Sequence, residues 1–366
     1  MITTLSSLVL ALAAADSVPL SQLKAPDGFE ISVFASGVDN ARAMALGDDG
    51  TLYVGSRRAG KLHAIPDRDG NGVGDEVILI DEGLALPSGL AWVDGSLYVA
   101  ALDRILRYDG LKASLKDYSA QPVVVLDGLP TERHHGWKYL EAGPDGKLYF
   151  GLGAPCNICN EPGFANIQRV NLDGTGLELV AEGVRNTVGL AFHPVSGELW
   201  FTDNGRDMMG DDVPPDELNR VSEANLHFGY PYCHGASIND PEFGNNIDCS
   251  DFQPPVQELG AHVAPLGLSF YSGTMFPERY RNQVFIPEHG SWNRSSKVGY
   301  RISLVTLQDN RAVSYEPFIT GWLQGEDNWG RPADIFIHPD GSMLISDDQG
   351  GVIYRVTYQP TAPEQP

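Results

Sequence analysis

The 366-residue chain sets 25 Lys and Arg against 48 Asp and Glu, a formal net charge of −23, and this argues against a nucleic-acid partner, which needs Lys and Arg clustered on a face. Its hydrophobic share of 42% supplies a large core and excludes disorder. Past the first residues, no stretch is long and apolar enough to span a bilayer.

The chain opens MITTLSSLVLALAAADS, with an apolar run from Leu5 to Leu12 and small residues at Ala13, Ala14 and Ala15. Residues 1–15 therefore read as a secretory signal peptide, although the basic n-region is missing. A periplasmic or secreted location follows. Residues 16–358 are left for one domain, and the Pro-rich residues 359–366 for a flexible tail.

From Glu30 onward a unit recurs with a period of about 45 to 55 residues, the range of propeller blades. The first copy is EISVFASG, AMALGDDG, TLYVGSR and KLHAI; the second is EVILIDEG, SGLAWVDG, SLYVAAL and RILRY. PVVVLDG, the histidine loop, GPDG, KLYFGLG and IQRV make the third, and LELVAEG, GLAFHPVSG, ELWFTDN and ELNRV the fourth. A degenerate fifth contains LGLSFYSG, QVFIPEHG and YRISLV, and the sixth SYEPFITG, DIFIHPDG, SMLISDD and VIYRV. Each copy holds four short alternating strands with a tight turn after the strand that follows the long loop, lengthened to FPERYRN in the fifth. The fold class is all-β, a six-bladed β-propeller of four-stranded antiparallel blades. Because each copy begins with an outermost strand, EISVFASG should close the last blade and leave no open edge.

Strand direction alternates within a blade, so the loop entering the inner strand and the loop joining the second to the third strand share one face. That face receives His135, Arg185, Asn186, Asn204, Gly205, Arg206, His289, Arg294 and Arg331, from several blades around one central mouth. Cys156, Cys159, Cys233 and Cys249 allow three pairings, and in an exported chain Cys156 with Cys159 and Cys233 with Cys249 is the expected set. CNICN has no His after the second Cys, so c-type haem attachment is not supported, and no thioredoxin-like βαβ pattern surrounds it.

DRDGNGVGDE places Asp67, Asp69, Asn71 and Asp75 at alternate positions around glycines, like the first part of an EF-hand loop without its closing Glu. Oxygens at that spacing suit a structural calcium.

The runs HHGWKYLEAGPDGKLYFGLG, VRNTVGLAF, TDNGRDMMGDDVPPDELNRV with FGYP, and RPADIFIHPDG resemble, in order and spacing, the soluble PQQ-dependent glucose, aldose and sorbosone dehydrogenases. GAPCNIC, FGYPYCHG and EHGSWNR look most like the sorbosone branch. The resemblance covers nearly the whole mature chain. It implies PQQ and calcium as cofactors, a small sugar as substrate, and a soluble electron acceptor such as a cytochrome c. It casts His135 as the general base, with His134 the immediate rival, and Arg185 as the cation that stabilises charge on the quinone or substrate oxygen. It assigns Gly205 and Arg206 carbonyls to calcium, with Asn204 beside them, and Asn186, Asn204, Arg206 and Arg331 to the cofactor. The family's second Arg of the last loop is Ala333 here, so Arg294 or Lys297 is expected to supply the missing charge; its Arg after the catalytic His reads Lys138 or Tyr139.

The leading reading is thus an exported quinoprotein that oxidises an aldose or sugar aldehyde by hydride transfer to PQQ. Two alternatives stay open: a calcium-dependent sugar lactonase, and a non-catalytic propeller that binds a partner.

Overall fold

The computed structural model describes residues 18–111, 115 and 118–360; the signal-peptide reading of residues 1–15 lies outside them, as does most of the expected tail. Six four-stranded antiparallel blades follow one another around a channel. Blade one runs Ala41–Leu46, Leu52–Ser56, Lys61–Ile65 and Ile78–Glu82 from the axis outward, and blade two Gly89–Val93, Ser96–Ala100, Ile105–Tyr108 and Val123–Leu126. Blade three is Leu140–Ala142, Lys147–Leu152, Asn166–Asn171 and Glu178–Glu182; blade four is Leu190–Phe192, Leu199–Asp203, Pro215–Val221 and Gln257–Ala261. Blade five is Ser269–Phe270, Val284–Glu288, Arg301–Gln308 and Arg311–Ile319. In blade six, Pro332–Ile337, Met343–Asp347 and Val352–Tyr358 are completed by Phe29–Ser36, paired from Phe29 with Tyr358 to Ser36 with Val352. The N-terminal strand does close the ring.

The turns set the register. Gly50 and Gly146 sit at φ 83° and 74°, in the left-handed region that only glycine enters freely, so each Asp-Gly pair brings the inner strand back on itself in the fewest residues. Side chains between blades make the core. Leu52, Val54, Leu344 and Ile353 fill the seam between blades one and six, and each fully buried side chain of this size contributes about 1.5–3 kcal/mol.

One element is not legible in the repeats: Leu226–His227 adds a fifth, parallel strand to the outer edge of blade three. It begins the long connection between the third and fourth strands of blade four, which also contains both ends of the Cys233–Cys249 disulfide. The second expected disulfide, Cys156–Cys159, is also present.

Across the channel, Val188, Leu266, Ala333 and Trp137, from the entrances of four blades, pack into an apolar septum. On one side lies the mouth formed by the long loops. On the other lies a cavity of about 370 Å³ lined by inner-strand side chains, among them Trp92, Phe192, Phe270, Phe336 and Glu141. The loop of Asp67, Asp69, Asn71 and Asp75 joins the third and fourth strands of blade one, so by strand direction it belongs to the turn face, away from the loop mouth.

Candidate active site

The loop mouth holds a cavity of about 590 Å³. His135, Arg185, Asn186, Asn204, Gly205, His289 and Arg331, all expected on this face, line it. Arg42, Arg57, Arg58 and Arg133 line it too. Six guanidiniums therefore surround one cavity in a protein of net charge −23.

The histidine loop enters blade three with His135 at φ 51°, a conformation non-glycine residues adopt only where the surroundings impose it. Gly153 lets it do so: a Cβ there would lie 2.6 Å from His135 Cβ and 2.7 Å from its carbonyl oxygen. His135 Nδ1 is 2.8 Å from the carbonyl of Ala154. A carbonyl only accepts, so the proton sits on Nδ1 and Nε2 keeps its lone pair. Burial, and after it the charge of Arg185 and the neighbouring His134, hold the imidazole well below its ordinary range. It is a neutral base at pH 7. His134 is exposed, its ring 4.1 Å from that of His135.

Arg185 is buried and held on all sides. Asp203, at the end of the second strand of blade four, accepts the backbone N–H groups of Arg185 at 2.8 Å and Asn186 at 2.6 Å. The guanidinium donates to the Asn157 carbonyl and Oδ1 at 2.9 and 2.8 Å, to the Asn204 carbonyl at 3.0 Å, and pairs with Asp207 at 3.2 Å. In blade six, Asp347 likewise accepts the backbone N–H of Arg331 at 2.9 Å. Arg331 donates to the carbonyls of His289 and Gly290 at 2.9 and 2.7 Å and lies over the Tyr300 ring. No carboxylate pairs with the Arg331 side chain among the described residues, so its charge is available to the cavity.

Gly205 donates its N–H to Asp216 at 2.7 Å, and the other Asp216 oxygen accepts from Ala264 at 2.8 Å. Burial pushes Asp216 up to about 6 and Asp203 to about 7. Asp207 and Asp216 both border the cavity beside Gly205, so oxygen ligands are grouped there for a hard cation. Asn204 Nδ2 bridges the Asn186 and Pro265 carbonyls at 3.1 and 3.0 Å, tying two blade entrances together.

Two expectations about side chains are corrected, and the residues at the family's other missing Arg are located. Arg206 does not line the cavity: Asp240 and Glu242 hold it at 2.5 Å each, drawing it toward the connection that also carries His234. Arg294 is bound to the Asp211 carbonyl and to Asp212 at 2.8 Å, and Lys297 to the Glu326 carbonyl at 2.7 Å; neither replaces the Arg missing at Ala333. Lys138 turns under the loop to the Leu102 carbonyl, and Tyr139 reaches Asp334 at 3.1 Å on the far side of the septum.

The missing charge comes from blade one. Counted back from the pairs Leu46–Leu52 and Ile337–Met343 beside the turns, Arg42 occupies the place that Ala333 holds in blade six. Asp348 lies 3.1 Å from Arg42 Nε and 3.7 Å from Arg57, and accepts from His289 Nε2 at 2.8 Å. Those cations hold Asp348 far below the usual carboxylate range, while burial drops His289 to about 3, which leaves it a neutral donor. Arg57 Nε and Asn186 Oδ1 are buried without a protein hydrogen-bond partner among the described residues. An orphaned donor and an orphaned acceptor at one cavity fit an anionic ligand that also presents a donor.

A family model described as TrAA12-like matches residues 23–359. The chain belongs to the TrAA12-like family. An uncharacterized protein of Borreliella burgdorferi is 36% identical over 375 residues, 98% of this TrAA12-like chain and 97% of that one. The calcium structure of a Carbohydrate-Active Enzymes Family AA12 protein from Trichoderma reesei superposes with TM-score 0.81 at 19% identity, over 92% of this chain and 97% of that one. The holo pyranose dehydrogenase PQQ domain of Coprinopsis cinerea gives 0.75 at 16%, over 92% and 97%. The PQQ-bound aldose sugar dehydrogenase of Streptomyces coelicolor gives 0.64 at 21%, over 92% and 100%. At these identities the neighbours establish the propeller fold, and the loop resemblance read from the sequence points to the same proteins.

The acidic loop of the TrAA12-like chain stands apart from all this. Ligand oxygens of Asp67, Asp69 and Asp75 lie within 4.8 Å of one another, and Asp67 and Asp69 accept the Asn71 N–H at 3.1 and 3.2 Å. It is a separate oxygen cluster on the turn face.

Proposed function

We propose that this chain is an exported PQQ-dependent sugar oxidoreductase that oxidises an aldose or a sorbosone-like sugar aldehyde. The observation that carries the reading is the cationic mouth. Six guanidiniums and an imidazole with a free Nε2 face one cavity of about 590 Å³, and among the described residues only Asp207, Asp216 and, directly behind, Asp348 oppose them. Such a site selects a ligand with several carboxylates, and PQQ, a planar tricarboxylate, matches it in charge. When bound, PQQ supplies the quinone that accepts hydride.

The protein's part is to bind, orient and move one proton. Arg42, Arg57 and Arg331 would hold the carboxylates, and Asn186 Oδ1 would accept a donor from the same group. His135 Nε2 would take the hydroxyl proton of the sugar, or of the hydrated aldehyde, and Arg185 would steady negative charge on the oxygen left behind. The Gly205 carbonyl and the neighbouring Asp207 and Asp216 carboxylates, with Asn204 beside them, would hold a calcium to act as Lewis acid. Trp292 at the lip, 69% exposed, would present an apolar face to a sugar ring. A second calcium at Asp67, Asp69, Asn71 and Asp75 would be structural. A soluble acceptor would take the electrons.

Reconstitution with PQQ and calcium, followed by absorbance and dye reduction over a panel of sugars, tests the reading. Quinone retained at one equivalent with sugar-dependent dye reduction is expected. Lactone hydrolysis without quinone would establish a lactonase instead, and neither activity would leave a binding module.

A further inference from the structure

One short segment, Ala154 to Cys159, touches both His135 and Arg185. The carbonyl of Ala154 fixes the His135 tautomer at 2.8 Å, and the Ala154 N–H donates to the Arg185 carbonyl, also at 2.8 Å. Three residues on, Asn157 accepts Arg185 Nε on its carbonyl and Nη2 on Oδ1, at 2.9 and 2.8 Å. The same Oδ1 accepts the Asp207 N–H at 2.9 Å, and Asn157 Nδ2 donates to the Asp207 carbonyl at 3.0 Å. Asn157 thus holds both the guanidinium and the residue whose carboxylate neutralises it.

Asn157 is itself fixed from outside. It lies inside the four-residue ring closed by the Cys156–Cys159 disulfide. That ring is hooked to Tyr230, whose Oη accepts the Cys159 N–H at 2.9 Å and sits 3.8 Å from Cys156 Sγ. Both cysteines of the ring are partly exposed, whereas Cys233 of the other disulfide is buried.

We propose that the disulfide-closed segment from Ala154 to Cys159 is the positioning device of the His135 and Arg185 pair, with Asn157 the positioning residue for Arg185, and that the thiol–disulfide state of Cys156 and Cys159 sets turnover. The proposal rests on the function proposed above. An arginine stabilises charge only if its donors point at the oxygen before charge develops, and it is the ring that keeps the two Asn157 acceptors in place. A dithiol opens the ring: its thiolate attacks one sulfur, the S–S bond breaks, both protein sulfurs end protonated, and the dithiol closes to its own cyclic disulfide. Asn157 then sits on an open loop and its hold on Arg185 loosens.

The test compares Asn157→Ala, Asn157→Asp and Cys156→Ser/Cys159→Ser with the wild type, each loaded with PQQ and calcium. Asn157→Ala should keep the quinone spectrum and hold KM within about threefold, while kcat falls about ten- to a hundredfold. Asn157→Asp retains the acceptor oxygen and should recover most of that loss. The serine pair should fall as Asn157→Ala does and ignore dithiothreitol, which should bring the wild type down to the same level. The crystal structure of Asn157→Ala should show the Arg185 guanidinium moved off the cavity wall. An unmoved guanidinium with unchanged kcat, or full kcat in the dithiothreitol-treated wild type, overturns the proposal. A wild type that never reduces dye overturns the sugar-oxidoreductase reading alone, and the crystal structure then still decides the positioning.

Discussion

The two ends of the channel are made by the same six inner strands and have opposite chemistry. At the turn face the strands leave aromatic and aliphatic side chains around a cavity of about 370 Å³; at the loop face six guanidiniums gather, Arg42 from the start of an inner strand, Arg57 and Arg58 from the link between the second and third strands of blade one, and Arg133, Arg185 and Arg331 from the connections that enter the inner strands. Their carboxylates show the contrast best. Asp348, behind the loop mouth, is held far below its ordinary range by His289, Arg42 and Arg57. Glu141, at the turn face, has no cation pairing with it among the described residues, and burial, then Asp334, push it up to about 8. Enclosure alone drives a carboxyl toward neutrality; the cations gathered at the loop face reverse it. The septum of Val188, Leu266, Ala333 and Trp137 keeps the two environments apart.

His135→Ala should break the loop end most severely. Removing a general base costs about 10²–10⁴ in rate, so dye reduction should collapse while the quinone absorbance titration stays as in the wild type. Wild-type turnover in that variant would move the base to His134. Arg331→Ala and Arg42→Ala come next. A hydrogen bond to a charged group is worth about 1.5–3 kcal/mol, so each should weaken PQQ binding by about ten- to a hundredfold, read by titration at fixed salt. Glu141→Gln, at the other end, should leave that titration unchanged, and a loss of quinone affinity there would mean that the septum does not separate the two cavities.

The pH profile sharpens the same contrast. His135 is active unprotonated and is held below 6.5 by burial, Arg185 and His134. The acid limb of kcat/KM, which reports the free enzyme, should therefore fall below pH 6.5, and an acid limb above pH 7 would contradict the charged surroundings described here.

What the sequence disclosed follows from what is local. A Gly turn, Asp-Gly in four of the six copies, repeats at a fixed place, so blade number and the closing strand at Phe29–Ser36 could be read before any contact was known. His135, Arg185, Asn186, Asn204, Gly205 and Arg331 reach one cavity because their repeat positions require it. The same rule applied to blade one would have found Arg42 and Arg57, in DNARAM and GSRRAG, but no resemblance drew attention to them. Arg206 and Arg294 show the limit. Both lie on loops of the correct face, and which way each side chain turns is decided by groups distant in sequence, the Asp240 and Glu242 carboxylates for one and the Asp212 carboxylate with the Asp211 carbonyl for the other. Asn157 was hidden for the same reason, since its importance lies in a carbonyl and an amide that meet Arg185 only in the folded protein.

The smallest expected effect is at Glu141, and its sign is fixed by linkage. Its carboxyl titrates at about 8 in the folded protein against an ordinary 4.5, so between those values the native state binds the proton and the unfolded chain has lost it. Stability then decreases as pH rises through that window and levels off above about 8, the reverse of a salt-bridged carboxylate. Glu141→Gln removes the titration and keeps the shape, so its stability should be flatter than wild type between pH 5 and 8. Glu141 is only partly buried, and water reaching it limits the gain, so at pH 8 the variant should melt higher by no more than about 1–3 °C. Thermal unfolding of both proteins at pH 5 and pH 8 decides it: a gap that widens toward pH 5 would mean that the turn face carries a cation of its own.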